Sequence, residues 1–314
     1  MKNIIVLENI KVENANAIFG LTYGFPGISN FLGFTHALSR KLNSKFCLSF
    51  GGCAIVSHEY EIKLKYYKKF KEPVFTLTKN PLLQDASTAP FNEEGKMHLT
   101  VSLIIECNFS ISEIPFDTGS AKNDKQEFEN YILHEAVKMK LAGGNILSIE
   151  NVSFYEIPEA EFERKNLIKK ICYSLIPGFF IINRVNYLKE YHENKLTENP
   201  KQEILDSWLD FYAIQFQANK ILNNNSEEII NWEKKDKPYS GYLVPLAVGY
   251  QPITKIFKNC EVKNGRDSNS DFCFVEPVYS IGEWKSPHKI DNLSDVFWSY
   301  NFVNNFYSFF YKGM

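Results

Sequence analysis

The sequence predicts an α+β fold whose core is a ferredoxin-like, RRM-type sheet carrying a projecting thumb β-hairpin and a helical insertion. Three observations predict it. Apolar residues recur with periods of 2 and 3.6 in the order strand, helix, strand, strand, helix, strand over residues 1–157, the order of a split βαβ unit. A long polar stretch, Asn80 to Glu94, lies between extended segments, so residues 74–103 read as a hairpin whose end is outside the core. After Pro158 the period turns helical through residue 235, and residues 236–314 return to extended, Pro- and Gly-punctuated runs that pack back on the core. A chain of 314 residues suits one core with a large insertion.

Taken in order, Asn3 to Glu13 is an apolar run ending in polar residues and predicts a central first strand. Gly24, Pro26 and Gly27 punctuate Tyr23 and Phe25, predicting a turn over Leu21 to Gly27. Phe31, Phe34, Leu38 and Leu42 then recur at helical spacing, predicting a helix over Ser29 to Leu42 with Ser29 as its cap. Cys53 to Leu64 alternates, with Val56, His58, Tyr60, Ile62 and Leu64 on one face and Ser57, Glu59, Glu61 and Lys63 on the other. Met97, Leu99, Val101, Leu103 and Ile105 alternate more strongly, and the shorter extended piece Val74 to Thr78 is expected to pair with them. Lys122 to Leu141 reads as a second helix, apolar along Phe128, Ile132, Ala136 and Met139, stopped by Gly143-Gly144 and followed by an extended stretch to Ile157. Helices are then expected over Glu159 to Leu175, Asn186 to Lys195 and Lys201 to Leu222, with a loop at Asn223 to Asn225. Tyr242 to Tyr250 and Phe272 to Ile281 are extended, and Asp291 to Tyr311 is expected to close the chain as an aromatic-rich helix.

The net charge of −2 excludes a generally basic nucleic-acid binder, so any polyanion site must be a local patch. The six cysteines (Cys47, Cys53, Cys107, Cys172, Cys260, Cys273) are scattered without zinc-ligand spacing and read as buried, reduced thiols. No metal or cofactor is expected: there is no H-E-x-x-H, no phosphate-binding G-x-x-x-x-G-K-S/T, no dinucleotide fingerprint and no G-x-S-x-G. The N-terminal apolar run is short and ends in an acid, so it reads as a strand rather than a signal peptide. No segment approaches the ~20 apolar residues of a membrane helix, and the cytoplasm is the expected compartment.

The most basic segment, Lys63 to Lys71, interleaves Lys68 and Lys69 with Tyr66, Tyr67 and Phe70, a pattern of phosphate neutralisation beside stacking surfaces, or of a solvated hairpin base. Lys258, Lys263 and Arg266 form a sparser cluster, with Arg266 next to Asp267. Gly143 and Gly144 would let another backbone approach closely, as phosphate-binding loops require, or simply end a helix. The six histidines read as structural, with one exception: His36, on a helix near a basic loop, could serve acid–base cleavage of RNA.

Several runs resemble a known family. They are Asn14 to Ile18, Leu21 to Pro26 and Phe31 to Leu38; Leu77 to Leu82, Asp85 with Ser87 to Ala89, and Glu93 to Gly95 before His98-Leu99; then Leu141 to Gly144, Leu175 to Phe179, Leu243 to Pro245, Glu261 to Asp267 and Gly282 to His288. Together they are similar to the second Csy subunit of type I-F CRISPR surveillance complexes, of the RAMP superfamily. The resemblance implies a ferredoxin-like core, a thumb, and a non-catalytic subunit that pairs with the large subunit to cap the 5′ handle of a guide CRISPR RNA. It implies no catalytic residue, places a backbone subunit alongside, and leaves contact with target DNA open. Residues 189–235 match the family poorly, and the stretch after Trp298 looks shortened and more aromatic.

On this footing single-stranded RNA is held by backbone contacts, splayed bases and stacking. The expected contacts are Asn14 and Asn16 with Tyr23 or Phe25 in the first turn, and Lys79, Asn80, Ser87 and Thr88 at the thumb. Lys68, Lys69, Gly143, Gly144, Lys263 and Arg266 complete the set. The rival readings are a metal-independent, guide-processing endoribonuclease using His36 or a Tyr66–Lys68 pair, and a structural module stable only beside its partner, with the aromatic C-terminus as interface.

Overall fold

The computed structural model describes residues 3–67, 72–78, 80–114, 120–222, 228–263, 270–303 and 305–310. The first run is strand β1 (Asn3–Asn16), with Ile4 to Leu7, Ile10 and Val12 all buried. Helix α1 (Ile28–Phe46) follows, burying Phe31, Phe34, Leu38 and Leu42 as the spacing predicts. Its cap is Gly27 rather than Ser29, whose hydroxyl lies 3.4 Å from that of Tyr250. Strands β2 (Phe50–Ile62) and β3 (Lys96–Cys107) come next, then α2 (Ala121–Val137), β4 (Gly144–Ser148) and β5 (Asn151–Tyr155). The remaining elements are α3 (Glu161–Ser174), β6 (Phe179–Asn183), α4 (Val185–Glu198), α5 (Ile204–Leu209), β7 (Phe216–Leu222), β8 (Glu228–Lys234), β9 (Tyr242–Pro252), β10 (Val275–Lys285), β11 (Ser299–Val303) and β12 (Phe306–Phe310).

A long sheet joins most strands in the hydrogen-bonded order β4, β1, β3, β2, β6, β10, β9, β12, β11, with β5 continuing β4 along β1. Within it β1 is antiparallel to β3, β4 and β5, and β2 is antiparallel to β3. Period 2 sorts the two faces. Ile5 stands opposite Ile105 and Phe154, and Phe128 of α2 meets Phe154 edge-on at 6.2 Å. Helix α1 joins α2 through Phe46 against Tyr131 and Lys41 bonded to Glu135 at 2.8 Å. Ile4, Val6, Ala54, Val56 and Ile104 share a buried cluster with Ile168, Ile171 and Cys172 of α3. Both faces of the central strands are therefore covered. Beyond β12 the sheet returns on itself: Cys53 of β2 and Trp298 exchange backbone hydrogen bonds of 2.9 and 2.8 Å.

Four expectations are corrected. Among the described residues, the segment 291–310 forms not a helix but one short 3₁₀ turn, Leu293–Val296, and the hairpin β11–β12, with Asn305 at φ 64° in its turn. The aromatic spacing matched a helix by coincidence. Residues 297–311 lack Ala, Leu, Glu and Met, while their Tyr, Phe and Val favour a pleated, half-buried strand. Lys201 to Leu222 is helical over Ile204–Leu209 alone, and Phe216 onward pairs with β8, so the insertion is not wholly helical. Asn223 to Asn225 lie outside the described residues. Third, Val74 to Thr78 does not pair with Met97 to Leu103, because β3 is central and both its edges are taken by β1 and β2. The thumb instead pairs Leu64–Lys65 with Val74–Phe75 and Leu77–Thr78 with Asn92–Glu93.

Fourth, the strict alternation of β2 breaks at His58, where the register slips between Ser57 and Glu59 and Tyr60 turns outward. His58 has a structural reason to sit there. The Pro177 carbonyl can only accept, so His58 Nδ1 donates to it at 2.5 Å, and Nε2 accepts from the Ser102 hydroxyl at 2.7 Å. Ser102 Oγ in turn accepts the Asn9 N–H at 2.9 Å, where β1 has its own register slip. One buried serine thus ties together two bulges.

The chain forms two compact units, residues 1–182, 247–279 and 285–314 in one and residues 183–246 and 280–284 in the other. The second is built on aromatic packing: Tyr187 stacks on Tyr239 at 4.4 Å, and Phe211, Leu188, Leu243 and Ile281 are buried beside them. Arg184 Nε donates to Glu283 at 2.6 Å and its guanidinium lies over Tyr187, so the charge is both paired and stacked.

Candidate nucleic-acid interface

One end of the sheet gathers several of the residues singled out by sequence. There β1 ends, β3 begins, β2 leaves for the thumb, and the turn before β4 returns. In β1 the register slips between Val12 and Ala15, so Glu13 and Asn14 face the single residue His98. This bulge puts Asn14 at φ 56°, exposed, with its N–H donating to His98 Nδ1 at 3.3 Å. A backbone N–H can only donate, so Nδ1 is the acceptor and the imidazole proton sits on Nε2. His98 is thereby part of this surface, although the sequence marked it as structural. A two-against-one count of residues across two strands leaves no trace in either strand alone.

Gly143 and Gly144 do not stop a helix, which ends at Val137. Ala142 and Gly143, at φ 50° and 76°, form the centre of a tight turn between Lys140–Leu141 and Gly144–Asn145, both positive as a type I′ turn requires. The close approach that glycine permits is to the chain's own backbone. A Cβ on Gly144 would lie 2.6 Å from the Glu13 carbonyl and 2.7 Å from the Ala15 nitrogen. Asn16 N–H donates to the Ala142 carbonyl at 2.8 Å, docking this turn on the β1 bulge. A Cβ on Gly143 would meet nothing within 4 Å, so that side of the turn is open.

Asn14 and Asn16 part company here. Asn16 spends its amide on Ile18, donating to its carbonyl at 2.6 Å and accepting its N–H at 3.1 Å. It acts as a turn former. The two aromatics also differ. Phe25 stacks on Phe31 of α1 at 5.5 Å, whereas Tyr23 is 69% exposed with its edge against Phe75 at the thumb base. The turn carrying Tyr23 is held by Tyr279, whose hydroxyl accepts the Leu21 N–H. Tyr60, Tyr66 and Phe91 are exposed nearby in sequence or register, and Lys65 lies over Tyr67 at 4.9 Å. Charges are mixed: Glu61 stands opposite His98, and Lys96 pairs with Glu94 at 3.0 Å.

The thumb tip is organised by its own bonds. Leu83 N–H donates to Ser87, and the Asn80 amide donates to the Pro90 carbonyl at 3.2 Å. Ser87 gives both N–H and hydroxyl to Asp85, which holds that carboxyl below its usual range. Thr88 is exposed. Lys68, Lys69, Lys79 and Arg266 lie outside the described residues, and Lys263 is exposed on a distant segment of the chain. His36 is exposed on α1, its ring tilted against Tyr300 at 5.9 Å. Among the described residues no group of three or more His, Cys, Asp or Glu could hold a metal ion, and no helix is long and apolar enough to cross a membrane. Burial pushes the Cys53 thiol up to about 12 and Cys172 up to about 11, as expected of inert thiols, whereas Cys47 is exposed.

Residues 5–309 match the family model described as "CRISPR-associated protein (Cas_Csy2)". The chain is also 34% identical over 306 residues to "CRISPR-associated protein Csy2" of Pseudomonas aeruginosa (strain UCBPP-PA14), an alignment covering 94% of this chain and 90% of that protein.

Proposed function

Because the chain belongs to the Csy2 family of CRISPR-associated proteins, we propose that it is the non-catalytic subunit of a type I-F surveillance complex that holds the 5′ handle of the guide RNA. Its partners are the guide RNA, the large subunit with which it caps the handle, and the backbone subunit, in the cytoplasm. The observation that carries the proposal is the family match over nearly the whole chain. The strand order β4/β5, β1, β3, β2, with every neighbour antiparallel, supports a ferredoxin-like core.

The fold also limits how RNA can be held. An RRM stacks bases on an open sheet face. Here helices and buried apolar side chains occupy both faces of the central strands. On this reading RNA lies along the sheet end, over Asn14, Gly143 and His98, with Tyr23 as a stacking platform and the thumb closing over it. Lys68, Lys69, Lys79 and Arg266 would supply charge to the bound RNA. The endoribonuclease reading needs a base beside a scissile phosphate, and His36 instead rests on Tyr300.

The test is a reconstituted complex carrying Tyr23→Ala. Losing one stacked base should weaken retention of the 5′ handle about tenfold, and photo-crosslinks from Tyr23 should map to the handle. Repeat RNA incubated with the wild-type chain should stay intact. Unchanged handle retention without crosslinks would sink the site, and cleavage at a defined position would restore the enzyme reading.

A further inference from the structure

The hairpin that carries Tyr23 is very short. Ile18 pairs with Tyr23 and Phe19 with Thr22, across Gly20 and Leu21. Gly20, at φ 57°, takes the first central position, where a type II′ turn requires a positive φ. The Thr22 hydroxyl donates to the Phe19 carbonyl at 2.9 Å within the turn. Two paired residues on each side do not hold one shape in water by themselves. An aromatic ring mounted on so small a hairpin would pivot with it.

Separate parts of the chain grip this one from outside. Phe19 packs on Tyr250 of β9 with ring centroids 5.5 Å apart, and a Cβ on Gly27 would come within 2.1 Å of the Phe19 ring. Ile18 crosses Gly95 as closely, at 2.4 Å from where a Cβ would stand. These contacts fix the root. The tip is fixed by Tyr279 of β10, whose hydroxyl accepts the Leu21 N–H. Gly20 makes room for that contact, since a Cβ there would lie 2.1 Å from the Tyr279 hydroxyl and 2.7 Å from the Pro277 ring.

The grip buries neither residue at the far end: Leu21 stays 87% exposed and Tyr23 69%. Such an arrangement adds little to a core. What it fixes is the orientation of a bare aromatic ring, which touches the protein only by its edge, against Phe75. A ring ordered before its ligand arrives binds without ordering itself, a saving worth about fivefold in affinity. We propose that Tyr279 is a positioning residue for Tyr23, its hydroxyl pinning the hairpin tip so that the ring meets an unstacked base already oriented. The base as occupant rests on the functional reading above, whereas the latch rests on the geometry of the chain alone.

Tyr279→Phe tests it, because the ring stays and only the acceptor for Leu21 is lost. In the free full-length chain, hydrogen–deuterium exchange resolved at the Leu21 amide should be about tenfold faster in this variant. In the reconstituted complex, retention of the guide RNA 5′ handle should fall about fivefold, chiefly through faster dissociation. In a Tyr23→Ala background the same substitution should add nothing, since a residue that acts through Tyr23 has nothing left to position. Gly20→Ala, which pushes the Tyr279 hydroxyl away from the other side, should reproduce all three results and stands in should Tyr279→Phe not fold. Unchanged exchange at Leu21 would overturn the latch. So would a fivefold loss that persists without Tyr23, which would make Tyr279 a general support of the fold. Normal retention in Tyr279→Phe beside a tenfold loss in Tyr23→Ala would overturn the positioning role and leave the RNA site standing. Faster exchange at Leu21 with no loss of handle in Tyr23→Ala would instead overturn the RNA site, and the positioning role with it, leaving the latch as a structural contact.

Discussion

Glu135 sits between two cations, Lys41 of α1 and Lys138, each bonded to it at 2.8 Å. Hydrogen bonds from Lys138 first and then Lys41 lower its carboxyl from the ordinary 4.5 to about 2. A depressed folded-state value means that the carboxylate stabilises the fold above the unfolded value and loses that contribution as pH falls toward 2. Both lysines are partly exposed, which keeps the contribution to about 1 kcal/mol or less. Glu135→Gln should therefore lower the melting temperature by a constant few degrees from pH 8 down to about pH 5, and the gap to wild type should narrow steadily at lower pH. A gap of unchanged size at pH 3 would show that the ion pairs carry none of it. At the same scale, residue type alone was an ambiguous guide to function. Asn14 and Asn16 look alike in sequence, yet the first is lifted out by a bulge and the second is consumed by its own turn.

Among the elements, removal of the thumb should separate folding from function. Its stem ends in the pairs Leu77 with Glu93 and Thr78 with Asn92, so residues 79–91 can be replaced by Asn-Gly without disturbing the ladder. The excised tip is bonded chiefly to itself and exposes Leu82, Leu83 and Phe91, with Ala89 buried. Its loss should cost about 1 kcal/mol or less, since exposed loops contribute few buried contacts. Complexes built with the trimmed chain should melt like wild type but lose the 5′ end of the guide. Guide occupancy equal to wild type would remove the thumb from the RNA site. The elements read well from sequence were those with long, clean periodicity: β1, α1, β3, α2, α3 and α4 all lie where the apolar spacing places them. The failures came where one pattern fits two structures, as in the aromatic tail, or where a helix-compatible run such as Gln217 to Leu222 found a strand partner.

For the molecule as a whole, the C-terminal segment closes on β2 through Trp298. Trp298 is buried, donates its indole N–H to the Ile181 carbonyl at 2.9 Å, and exchanges backbone bonds with Cys53. Gly52 leaves room for it, since a Cβ there would lie 2.3 Å from the Trp298 carbonyl. Trp298→Ala removes a large buried side chain and leaves a cavity and an unpaired carbonyl, at a cost of about 3–5 kcal/mol. The midpoint of urea unfolding should fall accordingly with the slope unchanged. A shift under about 1 kcal/mol would mean that the tail is an adhering strand rather than part of the core.

The sequence by itself determined the α+β class, the order of the first six core elements, the turn at Tyr23, the buried faces of α1 and α2, and through its scattered motifs the family. These follow from local periodicity, turn chemistry and residue identity, which are all written within a few positions of one another. Only the tertiary structure decided that both sheet faces are covered, that His98 joins Asn14, that Gly144 makes room for β1, and that the aromatic tail pairs with its own hairpin and closes on Cys53. Each of these depends on residues brought together from distant parts of the chain. A register slip of one residue, as at Asn14 or His58, changes which side chains face outward without changing the pattern that a single strand displays.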